Sequence, residues 1–158
     1  MDESIVHKVF DLLIEKGKTF ASAESCTGGN IAHQITLIAG SSNIFNGTAV
    51  TYATSMKTKV LGVPAETIEK HTVVSREVVE GMATGVRRLM ESDFGVATTG
   101  VAGPGGGSEL NPIGTVWIGV ASSHGVISRC FHFVGDRIQV INQATFKAYE
   151  MLYQSIMQ

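Results

Sequence analysis

Two apolar runs, TVWIGVASS at residues 115–123 and GVISRCFHFV at 125–134, meet across His124 and Gly125. A parallel pair needs a crossover of a dozen or more residues, so runs joined this closely are expected to form an antiparallel hairpin. Upstream, helical and strand-like segments alternate instead. Ile5, Val6, Val9, Phe10, Leu13 and Ile14 fall on one helical face, which Gly17 ends as a left-handed cap residue would. KTFASA (18–23) reads as a short buried strand, and Gly28 to Ala39 carries Ile31, Ile35 and Ile38 at helical spacing. GTAVTYA (47–53) is a second strand, and TSMKTKVLGV reads as a short helix, capped by Thr54 and ended by Gly62 and Pro64.

Ser75 is placed to cap a helix whose apolar stripe is Val78, Val79, Met82, Val86, Leu89 and Met90. FGVATT (94–99) is a third strand, and a last helix follows GDR with Ile138, Ile141, Thr145, Ala148 and Leu152 on one face. Early alternation and a late hairpin predict an α/β fold: a three-layer α/β/α sandwich around a mixed, mostly parallel five-stranded sheet. At 158 residues the chain has the size of a single domain, 1–158, large enough to bury a continuous core.

The balance of charge narrows the function classes. A formal net charge of −2 supplies no global attraction for nucleic acid or an anionic membrane, so neither is expected as a partner. No stretch approaches the roughly 20 apolar residues of a membrane span, and the start MDESIVHKVF is acidic rather than basic, so the chain reads as cytoplasmic. Its two cysteines, Cys26 and Cys130, form no CxxC pair, and the five histidines have no metal-ligand spacing. No metal and no cofactor are expected.

The candidate chemistry starts at AESCTGGNIA (23–32), where Ser25, Cys26 and Thr27 stand at a strand-to-helix turn. Ligands gather at such turns in α/β sheets because unpaired N–H groups of the next helix stabilise negative charge. On local pattern alone a bland alternative is the better reading: Ser25 or Thr27 caps the helix, and Gly28 and Gly29 permit close packing. Cys26 is a second candidate nucleophile, since a helix N-terminus lowers a thiol pKa, yet no histidine is near it in sequence. A serine can also be activated by a neutral lysine; Lys57 and Lys59 both qualify by position, and spacing does not choose between them. Residues 100–107 contain five glycines without the Lys-Ser/Thr end of a nucleotide-binding P-loop, which suits close backbone approach to a ligand or a mobile surface loop equally.

Together, AESCTGG (23–29), GSSNIFNGTAVTYATSMKTKVLGV (40–63), HTVVS (71–75), TGVAGPGGGSELNPIGTVW (99–117) and GDR (135–137) resemble the CinA C-terminal domain family, in family order over nearly the whole chain. That family includes stand-alone nicotinamide mononucleotide amidohydrolases, without the additional N-terminal domain of longer CinA proteins. The resemblance implies a nucleophilic Ser25, a lysine base at Lys57 and a supporting Tyr52 that orients the lysine or relays a proton. It also implies substrate contacts from Thr27, Gly28 and Gly29, from Thr99 and Gly100, and from Arg137 as a phosphate anchor. A homodimer or higher homo-oligomer acting on a small nucleotide is the implied assembly. Ile141 and Asn142 stand where the family often carries arginines. The rival readings are a weak or inactive nucleotide-binding module of the same fold, and a Cys26-dependent hydrolase.

Overall fold

The computed structural model describes residues 4–158. Helix α1 (Ser4–Lys16) buries Ile5, Val6, Val9 and Leu13. It ends at Gly17, whose φ of 62° lets the amides of Gly17 and Lys18 return to the carbonyls of Ile14 and Leu13. Strand β1 (Phe20–Glu24) is buried along its whole length. It begins later than the expected 18–23 and runs through Glu24. Helix α2 (Asn30–Thr36) follows the turn, and β2 (Phe45–Val50) pairs with β1 from Phe20 opposite Phe45 to Glu24 opposite Val50.

Residues 51–53, expected inside β2, have left the strand. The last link is the Thr51 amide on the Glu24 carbonyl. Next come α3 (Thr54–Leu61), α4 (Ala65–His71) and α5 (Arg76–Leu89). Ser75 caps α5 by accepting from the Val78 amide, as its position predicts. The residue before α3 is Ala53 and no side chain caps that helix, so the expected Thr54 cap is absent. Helix α4 has no buried residue, so it carries no apolar stripe that a sequence reading could use.

Strands β3 (Phe94–Gly100), β4 (Thr115–Ser122) and β5 (Gly125–His132) complete a sheet of order β2-β1-β3-β4-β5. The hairpin is as expected, with Ser122 opposite Gly125 across a two-residue turn. The sheet is mixed but not mostly parallel: β1 pairs parallel with β2 and β3, while β3–β4 and β4–β5 are antiparallel. The reason is the glycine-rich segment 101–114, which contains no helix to carry a crossover, so the chain turns straight back.

Two apolar layers enclose this sheet. Phe20, Val96, Val116, Ile118 and Val120 pack against α1, α2 and the last helix, α6 (Arg137–Met157). Ala21, Ala23, Ala49, Ala97 and Ala121 face α3 and α5, where small strand residues let the helices approach. Full burial of a side chain such as Phe20 stabilises the fold by about 1.5–3 kcal/mol. A capping box of Asp136 and Gln139 starts α6. Val140, Ala144, Ala148 and Leu152 face the core, while Ile138, expected on that face, is 70% exposed at the first turn, where the helix has not yet reached the sheet. The C-terminal ends of the three mutually parallel strands, at Glu24, Val50 and Gly100, lie together at one edge of the sheet.

Candidate active site

That edge gathers the turn 25–29 after β1, the segment leading into α3 after β2, and the glycine-rich loop after β3. They line a cleft of about 290 Å³ with Ser25, Cys26, Tyr52, Gly100, Gly103 and Arg137 among its walls. Ser25 and Lys57 meet here, 32 residues apart in sequence. The Lys57 ammonium donates to Ser25 Oγ at 3.2 Å and to the Thr51 carbonyl at 2.6 Å. Their meeting follows from sheet pairing: the Thr51 amide on the Glu24 carbonyl sets the start of α3 beside the β1 turn, and the first turn of α3 aims Lys57 inward.

Burial also separates the two lysines that spacing left equal. Lys57 is 1% exposed, whereas Lys59 is exposed in the last turn of α3. Desolvation lowers the Lys57 pKa from its ordinary value, because a charged ammonium loses its hydration there; the neighbouring Cys26 acts weakly the other way. An amine so placed is nearer its neutral form at ordinary pH. Once neutral it has two N–H bonds, enough to keep the Thr51 contact while its lone pair faces Ser25.

Cys26 has the opposite character. Burial pushes its thiol up to about 12, with a Thr98 hydrogen bond opposing, the Glu24 charge reinforcing and Lys57 opposing weakly. The expected lowering by a helix N-terminus does not occur, because desolvation outweighs it. No histidine is among its partners.

Of the other expected residues, Tyr52, Gly100 and Arg137 line the cleft, while Thr27 and Thr99 are buried beneath it. Tyr52 is 59% exposed, and its hydroxyl accepts from Arg137 Nη2 at 2.8 Å rather than touching Lys57. Arg137 Nη1 donates to the Gly103 carbonyl at 2.6 Å, so this guanidinium spans the cleft rim. The Thr99 hydroxyl donates to the Val73 carbonyl at 3.0 Å and is buried. Thr27 is buried too, its hydroxyl donating to Glu24 Oε1 at 2.7 Å and meeting Thr98 Oγ1 at 2.9 Å. Gly28 and Gly29 adopt φ of 59° and 103°, which is why the turn needs glycine there. Gly100 is needed for a different reason: a Cβ would lie 2.6 Å from the Thr115 carbonyl. Ile141 packs against the core and Asn142 accepts from Asn30 Nδ2 at 3.3 Å. Neither lines the cleft.

The sequence reading passed over Glu24. Fully buried, it accepts from the amides of Gly29 and Ile31 on Oε1 and of Ala32 on Oε2, and so caps α2 in place of Ser25 or Thr27. The one signal in the sequence was a carboxylate closing an apolar strand directly before the turn. A second cavity, of about 440 Å³, lies beside Trp117 and Arg76 and contains Cys130 and His132. Burial raises that thiol as well, and among the described residues no hydrogen bond joins it to a histidine. Among the described residues no three His, Cys, Asp or Glu side chains are grouped to hold a metal ion, and no helix is long and apolar enough to cross a membrane.

Comparison with known proteins places this geometry in a family. A CinA-like protein of Flavobacterium psychrophilum is 46% identical over 156 residues, and one of Fervidobacterium nodosum is 42% identical over 157 residues. Each match covers 99% of this chain but only 37% and 38% of the relative, so the chain spans little more than a third of those proteins. Among solved structures, a competence-damaged protein (CinA) superfamily protein of Klebsiella pneumoniae superposes with a TM-score of 0.94 at 34% identity, over 98% of this chain and 97% of that one. The competence/damage inducible protein CihA of Agrobacterium tumefaciens gives 0.95 at 35% identity, over 99% and 95%. With the CinA C-terminal domain model matching residues 2–156, the chain belongs to the CinA C-terminal domain family.

Proposed function

We propose that the chain is an amidohydrolase that converts nicotinamide mononucleotide to nicotinate mononucleotide and ammonia through an acyl-enzyme on Ser25. The observation that carries this reading is the 3.2 Å contact between Ser25 Oγ and the buried Lys57 amine in the wall of a cleft. The choice of substrate is supported by the motif resemblance and by the Arg137 guanidinium at the rim, a group suited to an anionic oxygen.

Neutral Lys57 takes the Ser25 proton as Oγ attacks the carboxamide carbon. The tetrahedral oxyanion is met by backbone amides of the turn. As the C–N bond breaks, the Lys57 ammonium returns its proton to the nitrogen, which leaves as ammonia. Water then attacks the ester carbon, with Lys57 again the base, and Ser25 is regenerated as the acid product departs. Tyr52 acts in this reading on Arg137, holding the guanidinium at the rim, and Thr99 acts by fixing Val73 in the cleft wall.

The rival binding module rests on Arg137, whose contacts to Tyr52 and Gly103 bridge the rim. An ammonia-release assay on nicotinamide mononucleotide, with nicotinamide riboside and nicotinamide beside it, separates the two. Turnover of the mononucleotide that is lost in Ser25→Ala is the expected result. Binding of the mononucleotide without ammonia release would establish the module instead.

A further inference from the structure

Glu24 is the only buried carboxylate among the described residues, and no step of the Ser25–Lys57 chemistry uses it. No basic side chain pairs with it among those residues. Its charge is met by donors: the amides of Gly29, Ile31 and Ala32, the Thr27 hydroxyl, and the hydroxyls of Ser22 and Thr48, which approach Oε2 at 3.0 and 3.1 Å. A carboxylate removed from water needs such a set, and loss of any one donor's acceptor leaves a buried polar group unpaired.

The donors it occupies decide which amides remain. Gly28 N–H goes to the Ser25 carbonyl and Asn30 N–H to the Thr27 carbonyl, while Gly29, Ile31 and Ala32 go to Glu24. The start of α2, where a helix would ordinarily offer its amides to an anion, is therefore filled from within. In the turn, immediately after Ser25, the Cys26 amide meets only its own sulfur, a weak acceptor, and the Thr27 amide has no acceptor among the described residues. The Thr27 hydroxyl, tied to both Glu24 and Thr98, fixes the peptide that carries the second of them.

We propose that Glu24 is a positioning residue for acyl transfer at Ser25: it takes up the α2 amides and locks the turn so that the Cys26 and Thr27 amides receive the oxyanion. This rests on the Ser–Lys reading. Glu24 does not hold the base, since Lys57 is anchored by the Thr51 carbonyl, and the Glu24 contact to Thr51 is made by backbone. Removing the carboxylate should therefore slow chemistry without changing how Lys57 titrates.

Glu24→Gln tests this, because its NH2 group meets a backbone N–H whichever way the amide is turned: Gly29 and Ile31 on one side, Ala32 on the other. Steady-state hydrolysis of nicotinamide mononucleotide across pH, and the rate of Ser25 labelling by a fluorophosphonate, are measured for wild type, Glu24→Gln, Glu24→Asp and Ser25→Ala. The expectation for Glu24→Gln is a kcat about 10- to 100-fold lower, KM within about twofold, labelling slowed in parallel, and the rising limb of the pH profile unmoved. Glu24→Asp, which keeps the charge but retracts it, should fall between. Wild-type kcat in either folded variant, a loss confined to KM, or a displaced limb would overturn the proposal, and failure of both variants to fold would make Glu24 a stability residue only. A wild type that neither releases ammonia nor labels at Ser25 would defeat the Ser–Lys reading, and this inference with it. Active wild type with equally active Glu24 variants would defeat this inference alone.

Discussion

The two walls of the cleft are built on different principles. The turn after β1 is held by side chains: Glu24, Thr27 and Thr98 form a buried network beneath it, and Lys57 reaches it from α3. The loop after β3 presents mainly backbone, with Gly100, Gly103, Gly105 and Gly106 lining the cleft and one side chain, Arg137, bridging to Tyr52 on the opposite rim. A wall fixed by buried side chains can hold a nucleophile and its base in one geometry. A backbone wall admits a ligand closely, and its selectivity rests on the few side chains at the rim. Substitutions in the first wall should act on rate, and those in the second on affinity or stability.

The largest effect belongs to the pair itself. Ser25→Ala, Lys57→Met and Lys57→Arg should each lower acylation by at least ~10³-fold in folded protein, the last because guanidinium stays protonated. Lys59→Met should leave acylation unchanged. Single-turnover rates measure all four, and near-wild-type acylation by Lys57→Arg would remove the lysine base.

Across the cleft, Arg137→Ala should raise KM for the mononucleotide about tenfold or more, at nearly constant kcat, the scale of a charge-assisted hydrogen bond. The riboside, lacking phosphate, should be affected much less. Equal losses for both would make the rim bridge structural and blur the distinction between the walls.

Lys57 also links the first wall to pH. Its pKa is lowered in the folded state, so between that value and the unfolded value of 10.5 the unfolded chain holds the extra proton. Stability should therefore rise with pH through that window, with a slope of at most about 1.4 kcal/mol per pH unit, whereas activity should rise as pH approaches the folded-state value and level off above it. In Lys57→Met this contribution to the stability slope should vanish. Thermal melts of both proteins over the window measure it, and parallel curves would show that the amine is not perturbed.

Within the glycine loop, position decides the outcome. Gly100→Ala should cost about 1–3 kcal/mol in denaturant unfolding, because its Cβ meets the Thr115 carbonyl at 2.6 Å, while Gly105→Ala, with nothing within 4 Å, should be close to neutral. A small effect is expected at Cys26→Ala, which should keep activity within about threefold. A thiol pushed up to about 12 is protonated at neutral pH and a poor nucleophile. Loss of activity comparable with Ser25→Ala would make the thiol the better candidate.

What the amino-acid order determined by itself is local. The close junction at residues 124–125 dictates the hairpin, Gly17 and Gly62 end helices at φ of 62° and 76°, and Ser75 starts α5. Each depends on residues a few positions apart, so periodicity and cap chemistry suffice to see it. Ser25 could be placed at a strand-to-helix turn on the same grounds. Packing decided the rest. Lys57 and Lys59 are alike in sequence, and only the docking of α3 beside β1 buries one and leaves the other in water. Tyr52 turned to Arg137, 85 residues away, rather than to the lysine five positions on. Burial raised the Cys26 thiol where local position suggested the reverse. Glu24 stayed unnoticed because a carboxylate at a strand end is ordinarily solvated, and its worth comes from donors that surround it only when α2 and β2 are in place. Desolvation and long-range hydrogen bonds belong to the assembled core, and no run of neighbouring residues encodes them.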